Sequence, residues 1–129
     1  MATVQLITGV DFVSVATHDL EAATAFYRDV LGLPRTNHHD GFFAEFDTGT
    51  VTLSVISPQA FGFEFGKHTN PVAFHVDDVA AARAQLVERG VEFNGDIMDT
   101  GVCHMAFFSD PDGNALMLHH RYAPRDPRG

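Results

Sequence analysis

Eight histidines, one cysteine and one glutamate in mid-strand are the residues of this 129-residue chain with the most chemistry to offer. His75 follows Pro71 by four residues on one strand-like run, and His119 follows Met117 by two on another. Alternation therefore gives each histidine the facing of its earlier neighbour. Imidazoles gathered on one face could ligate a transition metal or orient a bound molecule through hydrogen bonds. Cys103 beside His104 has the composition of a thiol and its base. Adjacent strand residues point to opposite faces, however, and a lone cysteine packs as a small hydrophobe. Glu45 alternates with Phe43 and Asp47 and is a candidate general base. His38 and His39 fall in a loop, Arg35 to Gly41, and read as solvated.

The elements that must position these groups come in a repeat. Phe12-Val-Ser-Val-Ala-Thr-His-Asp19-Leu-Glu-Ala-Ala and Pro71-Val-Ala-Phe-His-Val-Asp-Asp78-Val-Ala-Ala-Ala align without a gap. A fixed-period repeat of this size marks a duplicated supersecondary unit. Each copy reads as a strand, an Asp that accepts from free helix amides, a helix closed by Gly, and further strands. Two β-α-β-β-β units follow: module 1 at about 8–57, a linker at 58–69, module 2 at about 70–122 and a tail at 123–129. The fold class is α+β within a single domain.

In module 1, Leu20, Ala23, Tyr27, Val30 and Leu31 make one helical stripe that ends at Gly32-Leu-Pro34. Phe42 to Asp47 and Val51 to Ser57 are strands joined by a turn at Asp47-Thr-Gly49-Thr. The linker carries three Phe residues and is expected to pack against the body of the protein. In module 2, Val79, Ala82 and Leu86 share a helix face, with strands near Val91 to Phe93, Cys103 to Ser109 and Ala115 to His120. Asp110-Pro-Asp-Gly-Asn114 reads as the structural turn between the last two. The tail, Ala123 to Gly129, is expected to fray.

Composition narrows the function class. With 45% hydrophobic residues and twelve Phe, the chain can bury one core shared by both repeats. A formal charge of −9 argues against nucleic acid and acidic membranes. One cysteine excludes an internal disulfide, and neither a long apolar run nor a signal-like start is present, so a cytoplasmic location is expected.

The phrases Asp19-Leu-Glu-Ala-Ala-Thr-Ala-Phe-Tyr-Arg-Asp-Val-Leu-Gly32-Leu and Phe107-Phe-Ser-Asp-Pro-Asp-Gly-Asn114, set on the twofold repeat, resemble the vicinal oxygen chelate superfamily of glyoxalase I, extradiol dioxygenases and bleomycin-resistance proteins. The resemblance covers roughly residues 10 to 122. It implies curved mixed sheets around a cavity, helices outside, and pairing of modules within or between chains, with a homodimer expected. The family's metal-ligand positions fall here on Phe12, Leu53, Pro71 and Met117. None of these binds a hard or borderline divalent cation.

The expected function is therefore that of a small-molecule binding protein, whose cavity takes a partly apolar or aromatic compound and needs no metal. Its expected ligand-binding residues are Phe12, Ser14, Leu53, Pro71, His75, His104, Met117 and His119, with Val55 and Ala73 also on the wall. The alternative is a lyase, isomerase or dioxygenase with a divalent metal held at a displaced site of His75, His104 and His119. No catalytic residue is assigned.

Overall fold

The computed structural model of the protein describes residues 5–125, so the last four residues of the tail expected to fray lie outside the described residues. Module 1 runs through β1 (Phe12–Ala16), α1 (Leu20–Ala25) with a π-helical turn (Phe26–Val30), β2 (Arg35–His39), β3 (Phe43–Asp47) and β4 (Thr52–Ile56). After a 3-10 turn (Pro58–Phe61), module 2 runs through β5 (Val72–His75), α2 (Val79–Glu88), β6 (Met98–Asp99), β7 (Cys103–Ser109) and β8 (Ala115–Arg121). The modules form mixed four-stranded sheets of matching order, β1-β4-β3-β2 and β5-β8-β7-β6. In each, the first strand lies parallel to the last and the other pairs are antiparallel. This is the expected α+β architecture, with sheets that do not close into a barrel.

The repeat is clearest at the helix starts. Asp19 and Asp78 adopt nearly the same extended backbone, with φ of −141° and −145°, and accept from the amides of Ala22 and Ala81 at 3.1 and 3.0 Å. Each carboxylate satisfies one of the donors that the first helical turn leaves unpaired. The helix ends differ. One residue more lies between Asp19 and Gly32 than between Asp78 and Gly90. Module 1 absorbs it in the π turn, where Leu33 donates to the carbonyl of Tyr27, while at the matching place in module 2 Val91 donates to Leu86. Both modules then turn through glycines of positive φ, 75° and 92°.

The helix-covered faces of both sheets contribute to a single core, in which Val15, Tyr27, Phe46 and Leu53 join Leu86, Phe108, Leu116 and Leu118. The turn Asp110–Asn114 locks this core from one side. Asp110, buried, accepts from the Tyr27 hydroxyl at 2.6 Å, from the Asn114 side-chain amide at 2.8 Å, and from the backbone amides of Asp112 and Asn114. The same Asn114 amide donates to the carbonyl of Ala16 at 2.8 Å, and Asp112 accepts from the amide of His18 at 2.9 Å. The sequence marks this motif as a turn; it is also the polar latch between modules. Burial first, and then the Asp110 charge and hydrogen bond, push the Tyr27 hydroxyl far above its ordinary titration range.

Two strand expectations change. Residues 91–93 form no strand, and only Phe93 makes a bridge, to Phe108; the outer strand of module 2 is instead β6, opposite Met105 and His104. Arg35 to His39, expected as a loop, forms the outer strand β2. All five of its residues are exposed, so no buried face imposes the alternation by which a strand is read. The linker packs as expected at Phe65, whose ring stacks on His18 at 3.7 Å, and at Phe61, edge-on to Phe42 at 5.6 Å. No helix among the described residues is long and apolar enough to cross a membrane.

Candidate functional site: two open sheet faces and a cleft

Strand register decides which side chains share a face, and it moves two of the expected wall residues. Phe12 pairs with Thr52 and Ser14 with Ser54, and directly opposed residues stand on one side of a sheet. Glu45 pairs with Ser54 and Phe43 with Ile56. The face turned away from the helices in module 1 therefore carries Phe12, Ser14, Ser54, Ile56, Phe43 and Glu45. Leu53 and Val55, expected beside Phe12, point the other way and are fully buried in the core. A one-residue slip in reading β4 against β1 inverts the whole strand.

In module 2, Ala73 pairs with Met117 and His75 with His119; Met117 in turn faces Phe107, and His119 faces Met105. Met98 continues the row beyond Met105. This open face is rich in sulfur, aromatic and imidazole groups, and alternation adds Arg121, whose buried Nε has no hydrogen-bond partner among the described residues. Pro71 sits half-buried just before β5. His75 is exposed, with Nε2 3.3 Å from Asp77 Oδ1. Sequence reasoning missed Phe43, Ser54, Ile56, Met98, Met105 and Phe107. The alternation of Met105 and Phe107 along the expected strand is the signal that could have found the last two.

His104 lies elsewhere. It pairs with His120 rather than His119, so it projects from the helix side of β7. Its Nε2 is 3.4 Å from Asp99 Oδ2, and its ring lies 4.8 Å from that of Tyr122, whose hydroxyl donates to Asp99 at 2.8 Å. The Gly101 amide first, and then the Tyr122 hydroxyl, hold the Asp99 carboxyl below its ordinary range. The three histidines of the displaced metal site are thus split between two faces. Among the described residues no three His, Cys, Asp or Glu side chains gather so as to hold a metal ion. Cys103 is buried and pairs with Arg121.

A cleft of about 660 Å³ opens in the seam between modules, mainly on the helix-covered side, with Ala73 and His75 of the open face also lining it at the edge of β5. Leu31, Leu33, Val72, Phe74 and Leu86 are among its walls, and Gln85, Arg89 and the Thr48–Val51 turn stand at its edge. It exists because β1 and β5 are both outer strands and are not paired with one another.

Residues 9–118 match the model of the Glyoxalase/Bleomycin resistance protein/Dioxygenase superfamily. Comparison with curated proteins finds no match. Among solved structures, TnmS3, an antibiotic binding protein from Streptomyces sp. CB03234, is 28% identical over 91% of this chain and 98% of its own, with a TM-score of 0.76. A glyoxalase/bleomycin resistance protein/dioxygenase from Nocardioides is 25% identical over 97% of this chain and 90% of its own, with a TM-score of 0.78. Lactoylglutathione lyase from Agrobacterium tumefaciens, 21% identical over 88% of this chain and 93% of its own, has a TM-score of 0.77, a likeness of fold alone.

Proposed function

The chain belongs to the glyoxalase/bleomycin resistance protein/dioxygenase superfamily, and from that premise we propose that it is a metal-independent binding protein for a small, partly aromatic compound. The observation that carries this reading is the pair of uncovered sheet faces. Module 2 presents Met98, Met105, Phe107 and Met117, a soft surface suited to a flat ring, with His75, His119 and Arg121 as polar points. Module 1 presents Phe12 and Phe43 around Ser14, Ser54 and Glu45. The likeness to an antibiotic binding protein supports the same class of ligand.

Among the described residues both faces stand partly open, so the proposed cavity is completed by a second copy, with the Glu45 face of one protomer over the histidine and arginine face of the other. Phe12 and Met98, 55% and 50% exposed, become buried in that arrangement. Opposite charge across the gap fixes the orientation. A cytoplasmic setting suits the free thiol, and the net charge of −9 opposes nucleic-acid partners.

The test is calorimetric titration of the native protein with 2-naphthol, beside analytical ultracentrifugation and elemental analysis of chelator-free material. Met117→Ala is expected to weaken binding about tenfold, the loss of roughly 1–2 kcal/mol of apolar contact, and His119→Ala somewhat less. Unchanged affinity in both variants refutes the assigned face. One bound metal per chain would replace this reading with that of a metal enzyme.

A further inference from the structure

We propose that the cleft between the modules is a second binding site, adjoining the module 2 open face at the edge of β5, for an apolar molecule bearing one anionic group, such as a medium-chain carboxylate. The cleft runs along the free edge of β5, where Ala73 and His75 also line it, and is walled mainly by Leu31 and Leu33 of module 1 and Val72, Phe74 and Leu86 of module 2. Its volume of about 660 Å³ is that of a ligand pocket. Water within it meets few polar partners along these walls, so an apolar chain gains by displacing it.

The anionic head is assigned from the edge of the cleft. Gln85 and Arg89 stand one turn apart on the same side of α2. The Arg89 guanidinium donates through one terminal nitrogen to the carbonyl of Val30 at 2.8 Å, which fixes its place at the seam and leaves its remaining donors available. It makes no ion pair among the described residues. In a chain of net charge −9, a cation held at the mouth of an apolar cleft selects for a carboxylate there.

Decanoate and decanol are the probes, titrated calorimetrically into the native protein. Decanoate is expected to bind with one site per chain and more tightly than decanol. Ala82→Phe, which adds a ring at a wall residue of the cleft, should abolish decanoate binding and leave 2-naphthol binding intact. Val51→Trp, at the mouth, serves the same purpose should the first variant fail to fold. Arg89→Gln should weaken decanoate about tenfold, as expected for a lost charge-assisted hydrogen bond, with decanol unaffected. Met117→Ala should leave decanoate binding unchanged. Decanoate binding that survives both cleft variants, or equal affinities for decanoate and decanol, overturns the proposal. So does a cleft variant that changes only the oligomeric state, because the cleft is then filled by a second copy.

Discussion

The two modules share helix caps, strand order and pairing pattern, but their open faces share almost no chemistry. By register, Ser54 of module 1 stands where module 2 has Met117, Glu45 where it has Phe107, and Ile56 where it has His119. The helix side is far more alike: Leu53 corresponds to Leu116, Val55 to Leu118 and Val13 to Val72. Packing in the shared core restricts the inner residues to apolar side chains of similar volume. The residues on the other face lie outside that core and carry no such restriction; they differ as one acidic, hydroxyl-bearing face and one of sulfur, aromatic and imidazole groups. What the repeat keeps alike is scaffold, and what differs is the open sheet surface.

The hairpin turns offer the strongest test of that division. Asp110 in module 2 bonds to Tyr27 and Asn114 in the buried latch, whereas Asp47 in the matching turn of module 1 is exposed and caps only the amide of Gly49, at 2.7 Å. Asp110→Ala removes a buried carboxylate and strands two polar partners, and should cost about 3–5 kcal/mol. Asp47→Ala should cost under about 1 kcal/mol. Urea denaturation of the pair measures both, and equal losses would mean that the modules are not latched through the second turn.

Tyr27 sits where module 2 has Leu86, so its hydroxyl is a second asymmetry. Tyr27→Phe should cost about 1–3 kcal/mol, because Asp110 keeps its place but loses a donor. Its pH signature follows from the raised folded-state value. The unfolded chain ionises Tyr27 near pH 10 while the native protein keeps it protonated, so its contribution is intact below that pH and is lost as pH rises beyond it. Stability at pH 10.5 should fall in the parent and fall less in Tyr27→Phe. A residual decline is expected from Tyr122, whose hydroxyl is raised by its bond to Asp99. Parallel pH profiles in the two proteins would remove the latch from Tyr27.

Much of this scaffold is legible in the chain because the repeat repeats physical causes: an Asp before each helix and a Gly after it. The extra residue before Gly32 is legible too, although only backbone hydrogen bonds reveal that a π turn takes it up. The site is less legible. Facing in β4 depends on its register against β1, which a sequence does not state, so Leu53, expected on the open face, lies in the core and Ser54 takes its place. β2 escaped because an exposed outer strand has no buried face to impose a pattern. The latch was half visible: Asp110-Pro-Asp-Gly-Asn114 announces a turn, but its partner Tyr27 is distant in sequence.

The helix caps give the smallest effect and the sharpest check on what duplication has kept. Asp19→Ala and Asp78→Ala each remove one side-chain acceptor from an otherwise unpaired amide, and each should cost about 1 kcal/mol. The helices beyond the caps differ, since α1 has six residues before its π turn and α2 has ten. If a cap acts only on the first turn, that difference is irrelevant and the two losses agree within the error of a denaturation curve. If the π turn weakens α1 so that its first turn relies more on Asp19, the loss in module 1 is the larger. Equal losses would show that the extra residue perturbs only the helix end where Tyr27 enters the latch. Unequal losses would extend the asymmetry of the modules from their open faces into the helix starts themselves.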